Sequence, residues 1–169
     1  STIIINGDLT IGNGTTAGIV TSATNNPSIN VGRYFNIASL ATYIHGATGT
    51  LAVTYSTGVT GTLTLAGTGA KTFTGNVTIN SGGVWDETGV AVINYAGNLQ
   101  HDGTTYTANT GVHHFTVTGK TISGASTIAI PNLTIDAGIS TTNNGTLTIS
   151  TDLAGATGTL VNGTTGTLN

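Results

Sequence analysis

The chain repeats itself. Lys71-Thr72-Phe73-Thr74-Gly75 returns as Lys120-Thr121-Ile122-Ser123-Gly124, a step of 49 residues from Lys71 to Lys120. Asn76-Val77-Thr78-Ile79-Asn80-Ser81-Gly82 returns as Asn132-Leu133-Thr134-Ile135-Asp136-Ala137-Gly138, a step of 56 from Asn76 to Asn132. The same step of 56 carries Gly89 to Asn94 onto Gly145 to Ser150, and Ala96-Gly97 matches Ala154-Gly155 after two inserted residues. A weaker third copy, Asn6-Gly7-Asp8-Leu9-Thr10-Ile11, matches Asn144 to Ile149. Order and approximate spacing are both kept, so the chain reads as one module over residues 1–169. Within it 1–60 is diverged, whereas 61–124 and 125–169 are recognisable repeats.

A unit of about 56 residues that holds several short strands, with seven-residue and two-residue differences at its turns, is expected to wind as successive coils of one sheet-lined tube. No coil of such a tube buries its apolar face alone; each stacks on the next, and stability accumulates along one axis. The expected fold is therefore all-β, a repeat-based parallel β-solenoid of about seven or eight coils of roughly 20 residues each. An immunoglobulin-like antiparallel β-sandwich is the competing architecture, since it also gives many short strands and frequent turns. Trp85, followed by Asp86 and Glu87, reads as part of a turn rather than as the buried Trp of a sandwich strand.

Residue by residue, the pattern alternates with period two, as strands do. The clearest runs are 2–5, 9–11, 51–55, 62–65, 77–79, 90–93, 115–118, 133–135 and 146–149, nearly all of them broken by Gly, Asn, Asp or Ser. In the last, Leu147 and Ile149 are expected inside, with Thr146 and Thr148 on the opposite side of the pleat. Threonine suits that outer side because its branched β-carbon favours extended backbone while its hydroxyl keeps the surface wet. One short helix is expected at Ile37 to Tyr43, ended by Gly46.

Only 5% of the residues are charged, against roughly a quarter in an ordinary domain, so Thr, Asn, Ser and Gly must build the surface. Val, Ile and Thr are too frequent for a disordered chain. No stretch reaches the roughly 18 to 20 apolar residues of a spanning helix. Three isolated cations, Arg33, Lys71 and Lys120, with a net charge of -3, offer no patch to nucleic acid. The lack of cysteine excludes disulfides, thiolate metal sites and thiol catalysis. The chain starts at Ser1 without a basic and apolar leader, so a signal peptide is expected to have been removed or to lie upstream in a longer parent chain.

Candidate chemistry is sparse, and no enzyme activity and no cofactor are expected. His101 and Asp102 precede His113 and His114 by about half a coil, and imidazole with carboxylate suits a divalent metal; on a strand, however, His113 and His114 face opposite ways. The six acids are Asp8, Asp86, Glu87, Asp102, Asp136 and Asp152. Glycoside cleavage needs two of them facing across a sugar, and the one adjacent pair, Asp86-Glu87, fits weak calcium binding at a turn better. Serine lacks a nucleophile elbow, and no glycine loop is followed by Gly-Lys-Ser/Thr at phosphate-loop spacing. Sequons stand at Asn13, Asn76, Asn132, Asn144 and Asn162. Thr-x-Thr pairs at Thr62/Thr64, Thr72/Thr74, Thr105/Thr107, Thr116/Thr118 and Thr146/Thr148 raise ice binding as an alternative, although their spacing along the sequence is irregular.

Lys120 to Gly124, Asn132 to Ile135 and Gly145 to Ile149 resemble the Gly/Thr/Asn-rich repeats of large secreted bacterial surface proteins, such as Bacteroidetes-type adhesins and autotransporter passengers. The likeness covers about residues 61–169 and is poor over 1–60. It implies a β-helical or β-sandwich array that extends an adhesive tip or forms sheaths and fibres, and it brings no catalytic motif. The expected function is a structural unit of an extracellular, cell-surface filament, sheath or adhesin stalk, with self-association head to tail or in tandem and surface glycans as a further partner class. A carbohydrate-binding or carbohydrate-active β-helix is a second alternative. Both ends read as unfinished strand pattern without a polar cap. The expected joining residues are Thr2, Ile3, Ile4 and Ile5 at one end, and Thr159, Leu160, Val161 and Leu168 at the other.

Overall fold

The computed structural model describes residues 1–155 and 157–169. Those residues form 22 strands and no helix. Every recorded strand pairing is parallel, and each strand pairs with its equivalent one coil away, which makes the chain a parallel β-solenoid with three faces. The antiparallel sandwich is thereby excluded.

The first face stacks Thr2–Ile5, Ser28–Val31, Leu51–Val53, Lys71–Phe73, Ile93–Tyr95 and Val112–Phe115. The second stacks Leu9–Ile11, Phe35–Ile37, Thr57–Val59, Val77–Ile79, Leu99–His101, Lys120–Ser123, Ser140–Asn143 and Thr159–Asn162. The third stacks Gly18–Thr21, Ala41–His45, Thr62–Leu65, Val84–Glu87 and Thr105–Thr107. Two longer strands, Ile128–Ile135 and Thr146–Ala154, then turn the corner from the third face into the first. The register slips between Ile130 and Asn132, on either side of Pro131, which has no N–H to give to a ladder. Eight strands stack on the second face, so seven coil-to-coil steps separate its first rung from its last. At about 4.8 Å per rung the tube is roughly 35 Å long.

Alternation decides what fills it. Alternate residues of each strand, the first and third in most of the three-residue ones, point inward and stack on their equivalents in the next coil. On the first face Val31, Val53, Phe73, Tyr95, Phe115 and Ile135 make one such column. Its rings stack, with centroids 6.0 Å apart for Phe73 and Tyr95 and 5.3 Å for Tyr95 and Phe115. Trp85 lies on the third face, wholly buried and parallel to Tyr106 at 6.0 Å. The sequence placed it in a turn because two acids follow it; it is the largest side chain of the core. The expected helix over Ile37 to Tyr43 is absent as well. Leu40 takes a left-handed backbone (φ 63°), which breaks any helix and swings the chain from the second face to the third.

Corners are as repetitive as faces. The amide of Asn98 is capped by the Asn76 side-chain oxygen at 3.0 Å, and the amide of Thr121 by that of Asn98 at 3.1 Å, one coil further on. Gly75 and Gly97 stack at the same corner, where backbone lies directly on backbone: a β-carbon on Gly97 would stand 2.2 Å from the Gly75 carbonyl oxygen. No rotamer relieves that clash, because the obstacle is main chain.

The matches of 49 and 56 residues now have a geometric meaning. Lys71–Phe73 is on the first face and its copy Lys120–Ser123 on the second; Val77–Ile79 is on the second face and its copy, Leu133 to Ile135, on the first. The repeating element is thus one strand with its turn, about seven residues, and the seven residues by which the two steps differ are one whole face. Replacing Gly97 by alanine should destabilise the fold by about 1 to 3 kcal/mol, the usual range for overfilling a packed site. Urea unfolding followed by far-ultraviolet circular dichroism measures this; an unchanged midpoint contradicts the corner packing.

Candidate functional site

Three places hold the residues that the sequence singled out: the two open ends of the tube, the interior corner between the third and first faces, and the outward rows of the third face.

At the ends the strands have a neighbour on one side only. Thr2–Ile5 is the first strand of the nine-stranded sheet, Thr159–Asn162 the last of the eight-stranded one, and Thr167–Leu168 ends the nine-stranded sheet at the other extremity. The expected joining residues therefore lie on terminal rungs, but not opposite one another. Ile3 stands in the column of Ile29, an interior position, and is 46% exposed because no coil covers it. Its counterpart at the far end is Leu153, in the column of Leu133 and 49% exposed. Leu160 instead ends a column of the second face, above Thr141, whose first rung is Leu9–Ile11. Leu168 ends the column of Leu147. Ile4 and Val161 point outward at their rungs. Leu153 and Leu9 were missed; the 20-residue step from Leu133 to Leu153 was the available signal. Shallow hollows flank these ends, about 320 Å³ between Ile149 to Leu153 and Leu168 at one, and about 230 Å³ between Ile3 and Thr21 to Pro27 at the other.

The interior corner is polar. Glu87 and His113 are both wholly buried, with His113 Nε2 2.9 Å from Glu87 Oε2. The indole N–H of Trp85 donates to Glu87 Oε1 at 2.6 Å, and the Asn109 amide donates to Oε2 at 3.0 Å. His113 Nδ1 lies 3.1 Å from the Gly111 carbonyl, which can only accept, so Nδ1 carries its hydrogen. One further proton must then lie between Nε2 and Oε2, and the pair is neutral as a unit. Removing either partner would strand the other inside the core.

A second chain of bonds crosses the first coils of the same corner. The Gly46 amide donates to Ser22 Oγ at 3.0 Å, Ser22 Oγ is 3.3 Å from the Tyr43 hydroxyl, and that hydroxyl is 3.1 Å from His45 Nδ1. His45 Nε2 donates to the Gly49 carbonyl at 3.0 Å, which also accepts from Lys71 Nζ at 2.9 Å. Burial, reinforced by the Lys71 charge, lowers the His45 pKa to about 4, and burial lowers that of Lys71 to about 8. His45 is accordingly neutral near pH 7, with its hydrogen on Nε2.

The metal cluster suggested by the sequence does not form. His101 is interior on the second face, with Nδ1 turned to the Gly103 amide at 3.3 Å, and burial lowers its pKa. Asp102 faces outward; the bond it accepts from the Ala125 amide lowers its pKa, helped by the Gln100 side chain. His114 points away from His113, as alternation requires, and pairs with Asp136 at 2.9 Å. Among the described residues no group of three His, Cys, Asp or Glu side chains is placed to hold a metal ion. Asp86 and Glu87 are not a turn pair either: both lie in the strand Val84–Glu87, with Glu87 buried inside and Asp86 outward.

The outward rows of the third face are unlike the others. Ile19, Thr42, Thr62, Val84 and Thr105 form one row in register, and Thr21, Ile44, Thr64, Asp86 and Thr107 the other. Beyond them Thr146 ranks with Thr167, and Thr148 with Ala129. The corresponding first-face row runs Asn30, Ala52, Thr72, Asn94, His114 and Thr134, without such uniformity.

Glu87→Leu should cost about 3 to 5 kcal/mol, because His113 would be left buried without a partner, read as a lowered urea midpoint. The acid sensitivity has a definite sign. His45 titrates near 6.5 when unfolded and near 4 when folded, so as pH falls below 6.5 the unfolded state takes up the proton first. Stability drops by at most about 3 kcal/mol down to pH 4, at roughly 1.4 kcal/mol per unit, and His45→Gln should flatten that slope. Lys71 acts at the other end of the scale: stability should rise between about pH 8 and 10.5, where the folded lysine has lost its proton and the unfolded one still holds it. No protein-family model, curated protein or solved structure matches the chain.

Proposed function

We propose that this chain is a non-enzymatic structural unit of an extracellular filament, sheath or adhesin stalk on a cell surface, continued end to end by further copies of itself. The observation that carries this is the pair of unsealed ends. At both extremities interior positions, Ile3 at one and Leu153 and Leu168 at the other, are open to solvent, and the ladder beside them is unpaired. Because every strand runs parallel, the translation that stacks one coil on the next also sets Leu153 of one copy over Ile3 of the next, and Asn162, which ends the column of Leu9, over Leu9. Such a contact does not close on itself, so its product is a filament. The same geometry serves whether the copies are separate chains or tandem stretches of one longer polypeptide.

A non-enzymatic role is favoured by where the titratable groups sit. His45, Lys71, Glu87 and His113 are sealed inside and bonded to their own chain, out of reach of a substrate. Cell-surface location and contacts with surface glycans follow from the resemblance of residues 61–169 to the repeats of large secreted bacterial surface proteins, together with an uncharged, Thr- and Asn-rich exterior. Length and mechanical endurance are the function of such a unit.

Light scattering and negative-stain electron microscopy of the purified chain should show concentration-dependent rods whose repeat is near the tube length. Deleting residues 1–6 should leave folded monomers that no longer extend. Wild-type protein that stays a compact monomer at every concentration rejects end-to-end joining, and rods that persist after the deletion reject the terminal strand as the joint.

A further inference from the structure

We propose that the third face is a second functional surface, independent of the ends, and that its ligand is the plane of an ice crystal. Of its ten outward positions on the first five rungs, six are Thr, three are Ile or Val, and one, Asp86, is charged. Three of the five Thr-x-Thr pairs stand on this face, at Thr62/Thr64, Thr105/Thr107 and Thr146/Thr148. Their irregular spacing in the sequence is an effect of turns of unequal length. In space the rows repeat about every 4.8 Å along the axis and stand about 6.6 Å apart, each within about an ångström of a repeat of hexagonal ice.

Three properties make this a surface for a crystal rather than for a soluble partner. The side chains are stiff, because a branched β-carbon restricts rotation about χ1, and the row of Tyr43, Leu63, Trp85 and Tyr106 directly beneath fixes the strands in place. Each threonine places a hydroxyl beside a methyl, so water can be held at lattice positions by the first and ordered around the second. Charge also matches: a neutral lattice is met by a face with one ion, whereas a protein partner would be anchored by exposed Trp, Tyr or Arg, and the Trp85 and Tyr106 of this face point inward.

The test uses monomer isolated by size exclusion and compares wild type with Thr64→Tyr, Thr105→Tyr and, on the second face, Thr78→Tyr. All three sites are outward, and circular dichroism with a melting curve checks that each variant is folded. Thermal hysteresis, ice recrystallisation and partition of fluorescently labelled protein into a growing ice hemisphere are measured. Wild type and Thr78→Tyr should shape ice and enter it, while Thr64→Tyr and Thr105→Tyr should lose at least five-fold of the hysteresis. A wild type without hysteresis or ice enrichment overturns the proposal, as does equal loss in Thr78→Tyr. Retention on crystalline cellulose or chitin without ice enrichment also overturns it, in favour of a solid polysaccharide. None of these outcomes depends on whether the ends join.

Discussion

Each coil is held by the coils on either side through parallel main-chain hydrogen bonds, in a register kept from coil to coil apart from the slip beside Pro131, and the rest of the molecule is arranged around that ladder. Short strands of three or four residues suffice because each need only meet its equivalent in the next turn. Glycines stand at corners where backbone passes over backbone, and Asn side chains beside them supply the acceptor that a strand end lacks. Surface charge is nearly dispensable in such a scheme. The stabilising contacts run along the axis, and threonine hydroxyls provide enough polarity outside.

The ionisable groups of the interior are bonded to their own chain, whereas Thr57 Oγ1, Thr141 Oγ1 and Asn109 Nδ2 are buried without a partner. The Glu87–His113 pair and the Ser22–Tyr43–His45 chain lie at one corner, where the end of a third-face strand approaches the beginning of a first-face strand one coil on. A short side chain there can reach across the bend, whereas in the middle of a face it takes one as long as Tyr106, whose hydroxyl meets that of Tyr95 at 2.9 Å. Lys71 uses the same geometry to reach the Gly49 carbonyl in the coil before. These contacts tie neighbouring coils through side chains at the place where the backbone ladder is interrupted by a turn, and they make the stack sensitive to acid at His45.

Much of this architecture was legible in the sequence. Thr2–Ile5, Leu9–Ile11, Thr62–Leu65 and Val77–Ile79 are strands with the limits their alternation gives, and self-similarity led to the solenoid. The misplacements have a common physical cause. Val90 and Val92 look like core residues but lie outside, and the strand is Ile93–Tyr95. Val112–Phe115 was displaced because its inward His113 breaks the apolar pattern, and Glu87 disguised Val84–Glu87 as a turn. Both charges are neutralised by a partner 26 residues away, information that no local window contains. At the ends, the expected strands Thr2–Ile5 and Thr159–Asn162 lie on terminal rungs of different faces, a mismatch in keeping with a match of 56 residues that is not a whole number of coils.

That mismatch has a use. A tube whose smallest repeated element is a third of a turn can be lengthened by seven residues at a time, and an addition that is not a multiple of three elements rotates everything downstream by a third of a circle. A decoration evolved once on one side, such as a row of threonines, can thus be carried to another side without altering a single residue of it. Over a long array such insertions would act as a dial, setting the angle at which successive stretches present themselves to whatever lies around the shaft.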